Sequence, residues 1–178
     1  MDASLAAGEP EPAFSTLLQL SLDIGSFASD WSHCDRIATY VSRMVSHDRM
    51  DALQYANLFS SAFNELLETA FRCHGDEGRV SFTISRGGPI DRIELSIPCD
   101  AQAHAFYAGA VAALAADDYR QRYVNALLEE DDLDPGVGLL ELAVDYAARI
   151  EIRPEPAAVR LVTDLELDAP MPGAVVKP

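Results

Sequence analysis

From Arg49 to Cys73, apolar side chains return every three or four residues. Tyr55, Phe59, Ala62, Phe63, Leu66, Ala70 and Phe71 fall on one stripe, the pattern of a helix with one buried face. Gly75 and Gly78 follow it, where a helix is expected to stop. The period then drops to two. Val80, Phe82 and Ile84 alternate with polar neighbours, as do Ile93, Leu95 and Ile97, and Arg86-Gly87-Gly88-Pro89 between them is turn chemistry. A one-sided helix followed by a one-sided hairpin puts helix and sheet in the same fold, each hiding the other's apolar face.

The rest of the chain extends that frame. Phe14 to Ile24 reads as a first strand. Ser32 to Val45 reads as a helix with Ile37, Tyr40, Val41 and Met44 at helical spacing, capped by Ser32 or Asp30. Ala101 to Glu130 predicts one or two helices ending in an acidic run. Gly136-Val137-Gly138 opens another helix to about Ala148, with Leu139, Leu142, Ala143 and Tyr146 as its stripe. Ile150-Glu151-Ile152 and Val159 to Leu167 read as closing strands separated by Pro154 and Pro156. The expected fold class is α+β, an α/β sandwich with helices layered on one face of a mixed β-sheet. One domain is expected over residues 13–167, with residues 1–12 and 168–178, rich in Pro, Gly and Ala, as loose ends.

Charge and composition remove several functions. The chain of 178 residues has 13 basic and 29 acidic side chains, a net charge of −16, and so repels phosphate backbones and anionic lipid. Nucleic-acid binding is not expected. Lys177 is the only lysine, which leaves the expected domain without a phosphate-loop or Schiff-base lysine. The N-terminal residues carry no signal-peptide pattern, and the longest apolar run, Ala105 to Ala116, is too short to span a bilayer; a cytoplasmic protein is expected, with no membrane insertion. Cys34, Cys73 and Cys99 read as reduced thiols. They have no CxxC spacing, and adjacent His33-Cys34 and Cys73-His74 point about 100° apart on a helix, so metal ligation through them is not expected. Trp31 reads as packing for the start of the second helix.

Two segments can carry chemistry. In Asn64-Glu65-Leu66-Leu67-Glu68-Thr69-Ala70, Glu65 and Thr69 share one helical face. There they can act as a carboxylate base and an oxygen ligand for a metal–phosphate group, or simply form a helix edge at the solvent boundary. In Asp134-Pro135-Gly136-Val137-Gly138, two glycines before a helix can let the backbone and its free N–H groups approach an anion, or can be a plain turn. The carboxylates Glu129, Glu130, Asp131, Asp132 and Asp134 just upstream oppose a phosphate unless Mg²⁺ offsets them.

In sequence order, NELLETA on a helix, a hairpin, then GVGLLEL opening a late helix resembles the GHKL ATP-binding fold of histidine kinases and anti-sigma-factor kinases. Within that fold the chain is most similar to the SiaB-type bacterial signalling kinases, which carry a stretch like ELLENA followed by a basic residue, here Arg72, and a late run like GVGLLELAVDYAARIEI. The resemblance implies ATP and Mg²⁺ as cofactors and transfer of the γ-phosphate to a serine or threonine of a small STAS-like or SiaC-like partner. It also implies partner switching of the anti-sigma-antagonist kind, and a homodimer. It places Glu65 as the catalytic carboxylate, Thr69 at the Mg²⁺-binding Asn, Arg72 at the basic position that follows the motif, on the cofactor side, and Gly136 and Gly138 on the triphosphate turn. Asp100 is the one candidate to contact adenine. Two departures stand out: Thr69 replaces the Asn, and the Asp-x-Gly-x-Gly adenine box has no counterpart around Pro98-Cys99-Asp100. They support an alternative in which the same fold binds and sequesters a partner without turning over ATP.

Overall fold

In the computed structural model, residues 13–128 and 136–168 are described; the acidic run 129–134, Pro135, Lys177 and the two expected tails other than Asp168 lie outside them. Eleven elements follow in order: β1 (Ser15–Asp23), α1 (Ile24–Phe27), α2 (Ser32–Val45), α3 (Ala52–Arg72), β2 (Arg79–Gly87), β3 (Ile90–Pro98), α4 (Ala101–Leu114), α5 (Tyr119–Leu128), α6 (Val137–Asp145), β4 (Arg149–Glu155) and β5 (Ala158–Leu165). The class is α+β, with the helices against one face of a five-stranded sheet of order β1-β2-β3-β5-β4.

The sheet is antiparallel at each pairing rather than mixed. The reason lies in the connections. The excursion through α1–α3 returns to an antiparallel neighbour. The excursion through α4–α6 joins β3 to β4, which run the same way but with β5 inserted between them. No two parallel strands end up adjacent.

Alternation fixes the buried face. Val80, Phe82 and Ile84 of β2, Ile93, Leu95 and Ile97 of β3, and Val159, Leu161 and Leu165 of β5 point to the helices, and Leu18, Leu20 and Leu22 of the edge strand β1 join them. Against these lies α3, whose Phe59, Phe63 and Leu66 are fully buried, with Phe63 edge-on to Phe82 at 5.0 Å. The helix begins at Ala52 instead of Arg49 because the Asp51 carboxylate accepts the Gln54 N–H at 3.0 Å and caps it. In α2 the face toward the core is Cys34, Ala38, Val41 and Val45, while Tyr40 and Met44 of the expected stripe are exposed. Small residues let α2 lie close to α3, and the larger apolar groups are turned outward. Trp31 stands at the N-cap of α2, and Asp30, one residue earlier, accepts the Ser32 N–H at 2.8 Å.

A buried polar knot closes one end of the sandwich. The Asp91 carboxylate at the start of β3 is fully buried. It accepts two hydrogen bonds from Arg86, at 2.6 and 2.9 Å, one from Arg49 at 3.1 Å, and one from the Tyr55 hydroxyl. Arg86 also donates to the Val45 carbonyl at 2.6 Å and to Asp48, so the α2–α3 corner is fastened to the β2–β3 hairpin. Arg49 donates to Asp168, which is therefore tied to the domain and not part of a loose end. The outer face of the sheet is polar, with Arg92 bidentate on Asp164 at 2.7 and 2.9 Å. Its two outermost strands differ. β4 carries Arg149, Glu151, Arg153, Pro154 and Glu155, whereas Ser15 to Leu22 of β1 carries no charge and no proline.

Candidate functional site

The two expected motifs meet. Helix α6 crosses α3 where α3 presents Glu65 and Thr69, and Gly138, the second residue of α6, sits directly over them. A Cβ built on Gly138 would stand 2.9 Å from Thr69 Oγ1 and 3.3 Å from Glu65 Oε2. Only a glycine lets the helices approach this closely. Thr69 is fully buried, and its hydroxyl donates to the Glu65 backbone carbonyl one turn back, at 2.9 Å. Gly136 begins α6 at φ −80°, a conformation open to any residue, and its carbonyl accepts the Leu139 and Leu140 N–H groups at 3.1 and 3.3 Å. It also lines a cavity of about 460 Å³ between α4, α5 and α6, with Phe106, Gly109, Arg122 and Asn125.

The electrostatics at this crossing are acidic. Burial first, then the Glu141 and Glu68 carboxylates, push the Glu65 carboxyl up to about 7, against a smaller opposing pull from Arg72. Glu141 of α6 is raised too, by burial and then by Asp145 and Glu68. Tyr123 of α5 donates its hydroxyl to Asp145 at 3.1 Å, which completes the acidic wall. Arg72 is engaged elsewhere: it pairs with Glu68 at 3.2 Å, and its guanidinium lies over the Trp31 ring, 5.0 Å from the centroid. Trp31 in turn packs edge-on against Phe71 at 5.0 Å, so it holds the start of α2 to α3 as the sequence implies. Asn64 donates to Glu68 at 2.7 Å.

Asp100 does not join this group. It caps α4, accepting the Ala103 N–H at 2.8 Å, and stands with Cys73 and Cys99 beyond the C-terminal end of α3. The residues that sequence reasoning missed are Glu141, Asp145 and Tyr123. The four-residue spacing of Glu141 and Asp145 on one helical face was the available signal.

The fit to Mg²⁺ and ATP is poor. The one hydroxyl placed for a metal, that of Thr69, is fully buried beneath Gly138, and the neighbouring Glu65 carboxyl already feels the Glu141 and Glu68 carboxylates, where a triphosphate would bring further negative charge. Among the described residues no group of three His, Cys, Asp or Glu side chains is arranged to hold a metal ion, and no helix is long and apolar enough to cross a membrane. Comparison of the chain with protein-family models, curated proteins and solved structures gives no match in any of the three.

Proposed function

We propose that the protein is a regulatory module of GHKL-like design that binds and sequesters a partner in a bacterial partner-switching pathway without turning over ATP. The observation that carries this reading is Thr69: its hydroxyl is returned to the Glu65 carbonyl beneath Gly138, so the position that would ligate Mg²⁺ serves the packing of α6 on α3. A chain of net charge −16 suits a partner with a basic docking face. The partner class that goes with the resemblance is a small STAS-like or SiaC-like domain.

The kinase reading has one observation in its favour. Glu65, half-buried with its carboxyl raised to about 7, is poised as a general base at neutral pH for an acceptor hydroxyl. Calorimetric titration with ATP, with and without Mg²⁺, separates the two for the native chain and for Thr69→Asn. The sequestering module gives no heat from the native chain and binds a STAS-like domain protein of the same genome equally well with and without nucleotide. ATP binding by the native chain, or nucleotide-dependent partner affinity, overturns it in favour of the kinase. Binding by Thr69→Asn alone locates the loss of ATP affinity at that single position.

A further inference from the structure

The last turn of α3 and the junction of β3 with α4 are joined by a short backbone bridge. The Gly75 N–H donates to the Pro98 carbonyl at 2.7 Å, and a Cβ built on Gly75 would lie 3.5 Å from Cys99 Cα. A cysteine flanks the bridge on each strand of chain: Cys73, which caps α3, and Cys99, whose N–H donates to the Ala157 carbonyl at 3.2 Å. Tyr107 of α4 closes the third side, donating its hydroxyl to the Cys73 carbonyl at 2.6 Å. Both thiols are half-buried and free. Each acts on the same neighbours: burial and then the Cys99 thiol raise Cys73, while burial and then Cys73 and Cys99 together raise the Tyr107 phenol. The two cysteines thus stand on the two chain segments that this backbone bridge holds together. Cys34 does not belong to them; it is fully buried on the inner face of α2, its thiol pushed up to about 12 chiefly by burial.

We propose that Cys73 and Cys99 form a dithiol site that small-molecule disulfides such as oxidised glutathione convert to an intramolecular disulfide, fastening the end of α3 to the start of α4. The thiolate of one cysteine attacks a glutathione sulfur, breaks the glutathione S–S bond and releases one glutathione thiolate. The second cysteine thiolate then attacks the protein-side sulfur of that mixed disulfide, forming the Cys73–Cys99 bond and releasing the second glutathione thiolate. Two protein thiols are oxidised, one glutathione disulfide is reduced to two thiols, and the two protein protons end on those thiols. Burial and the Asp100 carboxylate hold both cysteines above the ordinary thiol range, so the exchange runs slowly at neutral pH. The bond encloses the whole β2–β3 hairpin in a ring, which restricts the unfolded chain and raises the thermal midpoint.

The test is prolonged incubation of the full chain with oxidised glutathione, followed by acid quench, alkylation, digestion and mass spectrometry. The expected product in the folded chain is the single pairing Cys73–Cys99, with Cys34 still a thiol and a higher thermal midpoint. In urea, all three pairings among the cysteines form. Cys73→Ser and Cys99→Ser, checked for native circular dichroism, retain glutathione as a stable mixed disulfide on the remaining partner. Glutathione on both cysteines without a crosslink overturns the proposal. So do a disulfide between two chains, the urea mixture of pairings in the folded protein, and no reaction at either cysteine.

Discussion

Replacing Gly138 by alanine tests the helix crossing on which the functional reading rests. The added methyl would stand 2.9 Å from Thr69 Oγ1, closer than a real Cβ approaches, and 3.3 Å from Glu65 Oε2, the end of a side chain that can shift. Overpacking of this kind costs about 1–3 kcal/mol. Alanine is the better helix former by up to about 1 kcal/mol, and less at the second position of a helix, so the net loss is about 1–2 kcal/mol. For a chain of this size that is roughly 2–4 °C in melting temperature per kcal/mol. The contact has one removable partner. Thr69→Ala deletes Oγ1 and by itself costs about 1 kcal/mol for the lost hydrogen bond. In that background the alanine at 138 fills the vacated space, so Gly138→Ala becomes neutral or stabilising, a coupling of about 1–3 kcal/mol between the two positions. Urea denaturation of the wild type, both single variants and the double variant, followed by circular dichroism, measures the coupling directly. A Gly138→Ala cost that is the same in both backgrounds, or absent in the native one, refutes the close crossing of α6 over Thr69.

Asp91→Ala leaves the Arg49 and Arg86 guanidinium groups, 10% and 13% exposed, without their common carboxylate, and costs about 3–5 kcal/mol in urea unfolding; a loss under about 1 kcal/mol would show that Asp48 and Asp168 suffice. Glu65 has a folded-state pKa near 7, above its unfolded value, so the native state holds the proton more tightly. Its contribution therefore falls as pH rises from the ordinary carboxylate range through about 7, and is fully unfavourable above it. Glu65→Gln is accordingly more stable than the wild type at pH 8 and nearly equal to it at pH 4; an unchanged pH profile of unfolding would contradict the burial of that carboxyl.

The helices and the hairpin were legible because their periods differ and their stops are explicit. α2 matches its expected bounds, Ser32 to Val45, yet its buried face does not: hydrophobicity points to Tyr40 and Met44, while proximity to α3 selects Cys34 and Ala38. Single-helix periodicity cannot register how near the neighbouring helix comes. The antiparallel order of the sheet was hidden for a related reason, since the insertion of β5 between β3 and β4 is decided by pairing across some 70 residues. For the site, a common location of the two motifs was implied by the resemblance and by no spacing within the chain. What they do to one another was not. That Gly138 and Thr69 fill the same space, and that Glu141 arrives from α6 to raise Glu65, are facts of side-chain juxtaposition that no local pattern records.

The two outer strands of the sheet give the molecule a direction as a building unit. Along β4 a sixth strand would meet Pro154, which has no N–H to offer, and four charged side chains in alternating sign. Along β1 it would meet eight consecutive uncharged residues, Ser15 to Leu22, with Leu17 facing outward. Of the two flanks, β1 has fewer obstacles of its own to a further strand, with Arg79 of β2 donating to its Ser21 carbonyl at 3.0 Å. Were two copies to pair through β1, only the two β4 strands would be left on the outside, so pairing of that kind would stop at two and not run on into a fibre.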